Sequence, residues 1–220
     1  MLTRIPESWK LRETLQHFAN LRMLPAPDAD IVLIAGAIEV CGRHESGVDI
    51  YERYEVQIEV LSGFPRVSPR AFETAGRIDK AFHMMRDGSL CVGSPYSVAR
   101  ALRADPSVMG FVNKLVVPYL FGHASQSRGL TLPFGQLAHG VAGLEAEMCE
   151  ELRLGRSGEV SKFLALAGQR RRVANQDACY CGSGNLLRSC HADVVNRFRE
   201  EVGQKWCRTY AATFASSRSR

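Results

Sequence analysis

Apolar positions near the start of the chain fall at Leu11, Leu15, Phe18 and Leu21, behind Pro6 and Glu7. Steps of four, three and three residues put one apolar stripe on a helix that opens on a proline and an acid. This predicts a first helix over 6–23. The period then changes. Residues 31–40 are a short apolar run after Pro25 and Pro27, while Tyr54, Val56, Ile58 and Val60 alternate with Glu55, Gln57 and Glu59. Both read as strands, the second with one buried and one wet face. The polar link over 42–47 suits an antiparallel meander.

Pro65 and Pro69 lie inside 63–72, and neither fits a helix interior or a central ladder. That stretch reads as an extended edge strand or a rigid loop. Residues 83–95 read as a loop, because Asp87-Gly88 is a turn signal and Gly93, Ser94 and Pro95 are breakers. Cys91 therefore sits in a loop. Helices are predicted over 108–117 and 137–154, separated by a Gly-, Ser- and Pro-bearing connection over 118–135. Residues 153–175 hold Gly155, Gly158, Gly168 and the run Arg170-Arg171-Arg172, which suits a basic linker with some local helix. Helix, strands, loop and helices in that order make an α+β arrangement rather than alternating βαβ units.

Composition adds exclusions. With 220 residues, 45% of them hydrophobic and 23% charged, the chain is expected to be globular, with one good-sized domain and a small appendage. The longest near-unbroken apolar run, 31–38, is less than half the roughly 18 to 20 residues that a membrane helix needs. No apolar signal region follows Met1, so the cytoplasm is the expected compartment. Charge is uneven: residues 1–150 hold 15 basic and 17 acidic side chains, a net of −2, whereas 151–220 hold 13 and 6, a net of +7. The basic tail favours an acidic partner or is simply a solvated face, and nucleic acid is not the expected partner.

Of seven cysteines, Cys41, Cys91, Cys149 and Cys207 are scattered singly, while Cys179, Cys181 and Cys190 crowd together and His191 follows the last. This is not a disulfide framework. Three thiols and an imidazole complete a tetrahedral site with no open position, the structural form of a Zn2+ site. Gly182, Ser183 and Gly184 let the chain turn sharply beneath the metal. Beyond the cluster, Val194, Phe198, Val202, Trp206, Tyr210 and Phe214 recur every four residues, predicting a C-terminal helix. Gly203 costs it about 1 kcal/mol relative to alanine. Each four-residue step over-rotates by about 40°, so the stripe is expected to pack first on the zinc loop and later on another surface, the alternative being an exposed partner-binding helix. Residues 216–220 are expected to fray.

A lone cysteine is ordinarily a small buried hydrophobe. Around Cys91, however, Asp87, Gly88, Ser89, Gly93, Ser94 and Pro95 are polar or chain-breaking, so its thiol is expected to be reachable. His83 could orient the loop or take a proton from an incoming amine; Asp87 and Ser89 could polarise that amine or an oxyanion. The blander reading of His83 is a loop-holding hydrogen bonder. His123 and His139 are the other candidate bases.

Two resemblances add to these readings. The stretch from Cys179 to His191 is similar to the SEC-C zinc motif, C-x-C-G-S-G-x(5)-C-[CH], matched at Cys179, Cys181, Gly182, Ser183, Gly184, Cys190 and His191. It implies a zinc-held binding module. Residues 8–121 resemble a ubiquitin-conjugating enzyme of the prokaryotic branch, on Phe64-Pro65, Pro69, Phe72 with Thr74, His83, Gly88, Leu90 and Cys91. Met84 and Met85 stand where that family has proline and asparagine after the histidine, His83 is eight residues before Cys91 instead of about ten, and Val92-Gly93 follow where many relatives carry an acid.

Together with the composition and the zinc motif, this second resemblance divides the chain into a ubiquitin-conjugating-like domain over 1–152, a basic linker over 153–175 and a zinc segment with a C-terminal helix over 176–220. It implies catalytic roles for Cys91, His83 and Asp87, and partnership with an activating enzyme, a ubiquitin-like modifier and a protein substrate. The setting it implies is a small bacterial operon associated with antiphage defence. A catalytically silent adaptor of the same fold is the alternative, and a thiol hydrolase pairing Cys91 with His123 or His139 is the third reading.

Overall fold

The computed structural model describes residues 5–26, 28–133, 140–155 and 157–217. Two compact units divide the chain, 1–136 and 137–220.

In the first unit a short 3-10 helix, Glu7–Trp9, leads into α1, Leu11–His17. Four strands follow: β1 (Leu21–Leu24), β2 (Ile31–Arg43), β3 (Asp49–Leu61) and β4 (Arg70–Glu73). They pair in sequence order as an all-antiparallel meander. Alternation governs β3 as expected, with Ile50, Tyr54, Val56, Ile58 and Val60 buried, and it also governs much of β2, expected only as an apolar run, where Val32, Ile34, Ile38 and Val40 are buried. The proline-bearing stretch ends in β4, an edge strand, where a missing N–H is tolerated.

The expected first helix over 6–23 is too long. Leu21 is not on α1 but starts β1, facing Gly36 across the ladder. A nonlocal strand partner overrides local spacing at that point. The close approach requires a glycine, since a Cβ at Gly36, at φ +140°, would run into the carbonyl oxygen of Asn20.

Helices α2 (Pro95–Ala104), α3 (Val108–Phe111) and α4 (Val117–Ser127) complete this unit, with one π-helical stretch, Val112–Val116, joining α3 to α4. Here the expectation of a nonhelical connection from 118 onward fails. Pro118 lacks an N–H and its ring would crowd the carbonyl of Lys114 in a regular α-helix. The wider π turn, in which the Val117 N–H reaches back to the Val112 carbonyl, accommodates it. Trp9, Phe64, Leu102, Phe111, Val112, Val116 and Leu120 join the buried strand residues in one core. Each such side chain, fully buried, contributes about 1.5–3 kcal/mol.

The second unit is helical: α5 (Gly140–Leu152), α6 (Ser157–Gly168), the short α7 (Arg171–Ala174), a 3-10 turn at Leu187–Ser189, α8 (Ala192–Val202) and α9 (Gln204–Ser217). The expected linker over 153–175 is instead its centre. Val160, Phe163, Leu164 and Ala167 of α6 are completely buried, and α6 packs against α8 and α9. The single C-terminal helix is also corrected. Gly203 adopts φ +90°, a conformation reserved for glycine, and splits it into α8 and α9. Arg199 and Gln204, one on each side of that break, and Arg208 farther along α9 donate to the carbonyls of Leu166, Ala167 and Gly168, closing the C-terminus of α6. Ser216 and Ser217 remain in α9, while 218–220 lie outside the described residues. No described helix is long and apolar enough to cross a membrane.

Candidate functional site

Cys91 lies in a tight reversal between β4 and α2. Met84 bridges Leu90 across it, and the Met85 N–H donates to Ser89 while the Gly88 N–H returns to Met85. Gly88, at φ +84°, turns the chain as the Asp-Gly pair predicts. Three anchors hold this reversal. The Cys91 N–H donates to the His83 carbonyl at 2.8 Å and the Leu90 N–H to the Ala71 carbonyl of β4 at 2.7 Å. Tyr119 of α4 supplies the third, its hydroxyl lying 3.0 Å from the Phe82 carbonyl and 3.2 Å from that of His83. Ser94 then caps α2 by accepting the Ser97 N–H, with Pro95 in the first turn.

The Cys91 thiol itself is half-buried, its Sγ 4.0 Å from the Gly93 carbonyl. His83 is joined to Cys91 through its backbone, at φ +36°, and its ring packs edge-on against Phe82. Asp87 turns toward the loop that carries it. Its Oδ1 accepts from the Ser89 hydroxyl at 2.6 Å and the Ser89 N–H at 3.0 Å, and these bonds hold its carboxyl below the ordinary range. Arg70 reaches both Asp87 and Glu59. Asp87 and Ser89 thus form one turn, with Arg70 tying it to β3.

His123 is engaged elsewhere. Its Nδ1 meets the Tyr54 hydroxyl at 2.8 Å and its ring packs edge-on against Phe82; burial pulls its pKa down. His139 lies outside the described residues. Sequence does not single out Tyr119, because nothing in its spacing marks a tyrosine that caps carbonyls 36 and 37 positions earlier. Burial, with Cys91 nearby, pushes its phenol pKa up.

In the second unit the four expected ligands do come together. One ligand atom each from Cys179, Cys181, Cys190 and His191 lies within 4.8 Å of every other, an arrangement that could hold a metal ion. Local backbone explains it. Ala178 bridges Leu186 and the Cys179 N–H donates to Asn185, making a small hairpin that turns at Gly182 and Gly184, at φ +74° and +78°. The 3-10 turn then delivers Cys190 and His191 to the start of α8. Ser183 approaches the Cys190 sulfur at 3.5 Å. Hydrogen bonds from Ser183 lower the Cys181 thiol, whereas burial raises that of Cys179.

Aromatic packing seats the hairpin. Tyr180 meets Phe163 of α6 with ring centroids 5.0 Å apart, Phe163 meets Phe198 of α8 at the same spacing, and Tyr180 lies 5.1 Å from the His191 ring. The remaining thiols have no such company: Cys207 is fully buried and pushed up to about 12 by that burial, and Cys41 is exposed.

A scan of protein-family models gave no match, and neither a curated protein nor a solved structure matches this chain.

Proposed function

We propose that the first unit is a ubiquitin-conjugating-like acyl carrier and that Cys91 is its nucleophile. The reading rests on the half-buried Cys91 thiol on a reversal tethered to His83, to β4 and to Tyr119. A carrier needs a sulfur held in place on a residue that is not sealed in the core. The Cys91 sulfur would attack the thioester that joins a modifier's C-terminal carbonyl to an activating enzyme. A new C–S bond forms, the old one breaks, and the proton of Cys91 passes to the departing thiol. Exchange between thioesters is close to isoenergetic, and cysteine is nucleophilic even when only a small fraction is thiolate. A target amine then attacks the same carbonyl, loses a proton and restores the Cys91 thiol.

His83 and Asp87 serve this reading as parts of the loop that aims the sulfur. A four-stranded antiparallel meander followed by helices agrees in coarse order with the ubiquitin-conjugating family. By the same resemblance the protein works in the bacterial cytoplasm, beside a modifier and an activating enzyme in an operon associated with antiphage defence. Met84 and Met85, where that family has an oxyanion-supporting asparagine, favour a second reading: an adaptor that binds the modifier without transferring it.

We further infer that Cys179, Cys181, Cys190 and His191 hold one structural Zn2+. Tetrahedral zinc bonded to sulfur and nitrogen sets its ligand atoms roughly 3.5–3.8 Å apart. Three of the separations here are 3.6 Å for Cys181–Cys190, 3.3 Å for Cys179–His191 and 3.2 Å for Cys190–His191, and all four atoms lie within 4.8 Å of one another. The first matches that spacing and the other two are slightly shorter; it is the chemistry of the donors, three thiols and an imidazole, that suits the ion, and four of them leave no position open for substrate.

Incubation with activating enzyme, ATP and modifier tests the carrier reading. The expected product is an adduct one modifier heavier, lost on reduction, absent in Cys91→Ala and persisting in Cys91→Ser as an oxyester. Binding of modifier with no adduct would establish the adaptor, and cleavage of a pre-joined modifier would establish a hydrolase.

A further inference from the structure

A cleft of about 320 Å³ in the second unit is lined by Arg170, Arg171, Asn196, Arg199, Glu200 and Gln204. Three guanidiniums against one carboxylate give its wall a net charge of +2. Arg170 and Arg171 are exposed, so both can close on a ligand. Arg199 is half-buried and fixed: its Nε donates to Ala167 at 2.8 Å, one Nη to Leu166 at 3.0 Å and the other to the Asn196 carboxamide oxygen at 2.7 Å. These use three of the five N–H groups of a guanidinium. Burial, with the charge of Arg171 adding to it, works against this cation; an anion would relieve both effects.

Asn196 supplies the second observation. It is 9% exposed, lines the cleft, and accepts from Arg199 through Oδ1, which fixes the orientation of its amide. Its Nδ2 is then a buried donor with no acceptor among the described residues. Buried donors are almost always paired in folded proteins, and an unpaired one beside a cationic cleft points to an acceptor supplied from outside.

We propose that this cleft binds a phosphoryl dianion, gripped by Arg170, Arg171 and Arg199 and oriented by the amide of Asn196. Guanidinium forks match the oxygens of phosphate in pairs. The charge selects the class: a phosphate monoester neutralises the wall, whereas a carboxylate or a phosphodiester leaves half its charge uncompensated. The site is separate from Cys91 and does not depend on any acyl transfer there.

Titration of the full chain, followed by nitrogen–proton NMR of the Asn196 side-chain amide, tests it. The probes are inorganic phosphate, phosphoserine and dimethyl phosphate against sodium chloride of equal ionic strength. Inorganic phosphate and phosphoserine should move that resonance saturably, and dimethyl phosphate should bind about tenfold more weakly or not at all. Arg170→Gln and Arg171→Gln, both at exposed positions, should each weaken phosphate about tenfold with an unchanged melting temperature. No saturable shift with either dianion would overturn the proposal. So would phosphate affinity that survives the double substitution, or equal affinity for dimethyl phosphate.

Discussion

The Tyr119 hydroxyl and the Cys91 amide converge on one acceptor, the carbonyl of His83, at 3.2 and 2.8 Å. A side chain of α4 therefore braces the backbone that carries the Cys91 sulfur, and His83 transmits the restraint through its main chain.

Tyr119→Phe removes only the hydroxyl. Loss of a largely buried hydrogen bond should cost about 1 kcal/mol, and the loosened reversal should expose the thiol. The expected result is a lower urea midpoint together with faster alkylation of Cys91 by iodoacetamide. A lower midpoint with no change in alkylation would confine Tyr119 to a stabilising role.

Gly36→Ala should be far more damaging than its one added carbon suggests. The new Cβ meets the Asn20 backbone, which cannot swing aside as a side chain would. A cost of about 1–3 kcal/mol is expected, read as a fall in melting temperature; a variant as stable as the parent would contradict the packing of β1 on β2.

Acid should weaken the first unit partly through His123. Burial depresses its folded pKa below the ordinary value of 6.5, so the unfolded chain takes up the proton first. The associated stability is complete above that ordinary value and declines as the pH drops through it toward the folded pKa. In His123→Gln, a plot of urea midpoint against pH should be flatter between neutrality and mild acid; an unaltered slope would rule out this linkage.

Phe163→Ala strikes the aromatic stack beneath the cysteine hairpin. Emptying a fully buried phenylalanine costs about 3–5 kcal/mol, and Tyr180 loses its support. Native mass spectrometry of the parent should find one zinc per chain. Metal retention in Phe163→Ala should fall at chelator concentrations the parent withstands, and equal retention would separate the stack from the metal site.

Legibility from sequence varied with the range of the interactions involved. The alternation of β3 and the four clustered ligands depend on neighbours along the chain and could be read directly, whereas 63–72 could be read only as an edge strand or a rigid loop. Leu21 could not, because its strand partner lies across the fold at Gly36. Ser94 and Pro95 read as breakers and do end the Cys91 loop, yet they also cap and start α2; the same residues serve both purposes. In α6 the signal was present and outweighed. Val160, Phe163, Leu164 and Ala167 keep helical spacing, but the flanking glycines and arginines masked it. Propensity alone marks Gly203 as a weak point within one helix, whereas its positive φ ends a helix.

The clasp of Arg199, Gln204 and Arg208 on the last carbonyls of α6 bears on how far the candidate metal-binding module extends. Its signature stops at His191, yet the residues that finish the helix beneath it arrive up to seventeen positions later. A fragment trimmed to the motif would keep every ligand and lose the floor on which they stand.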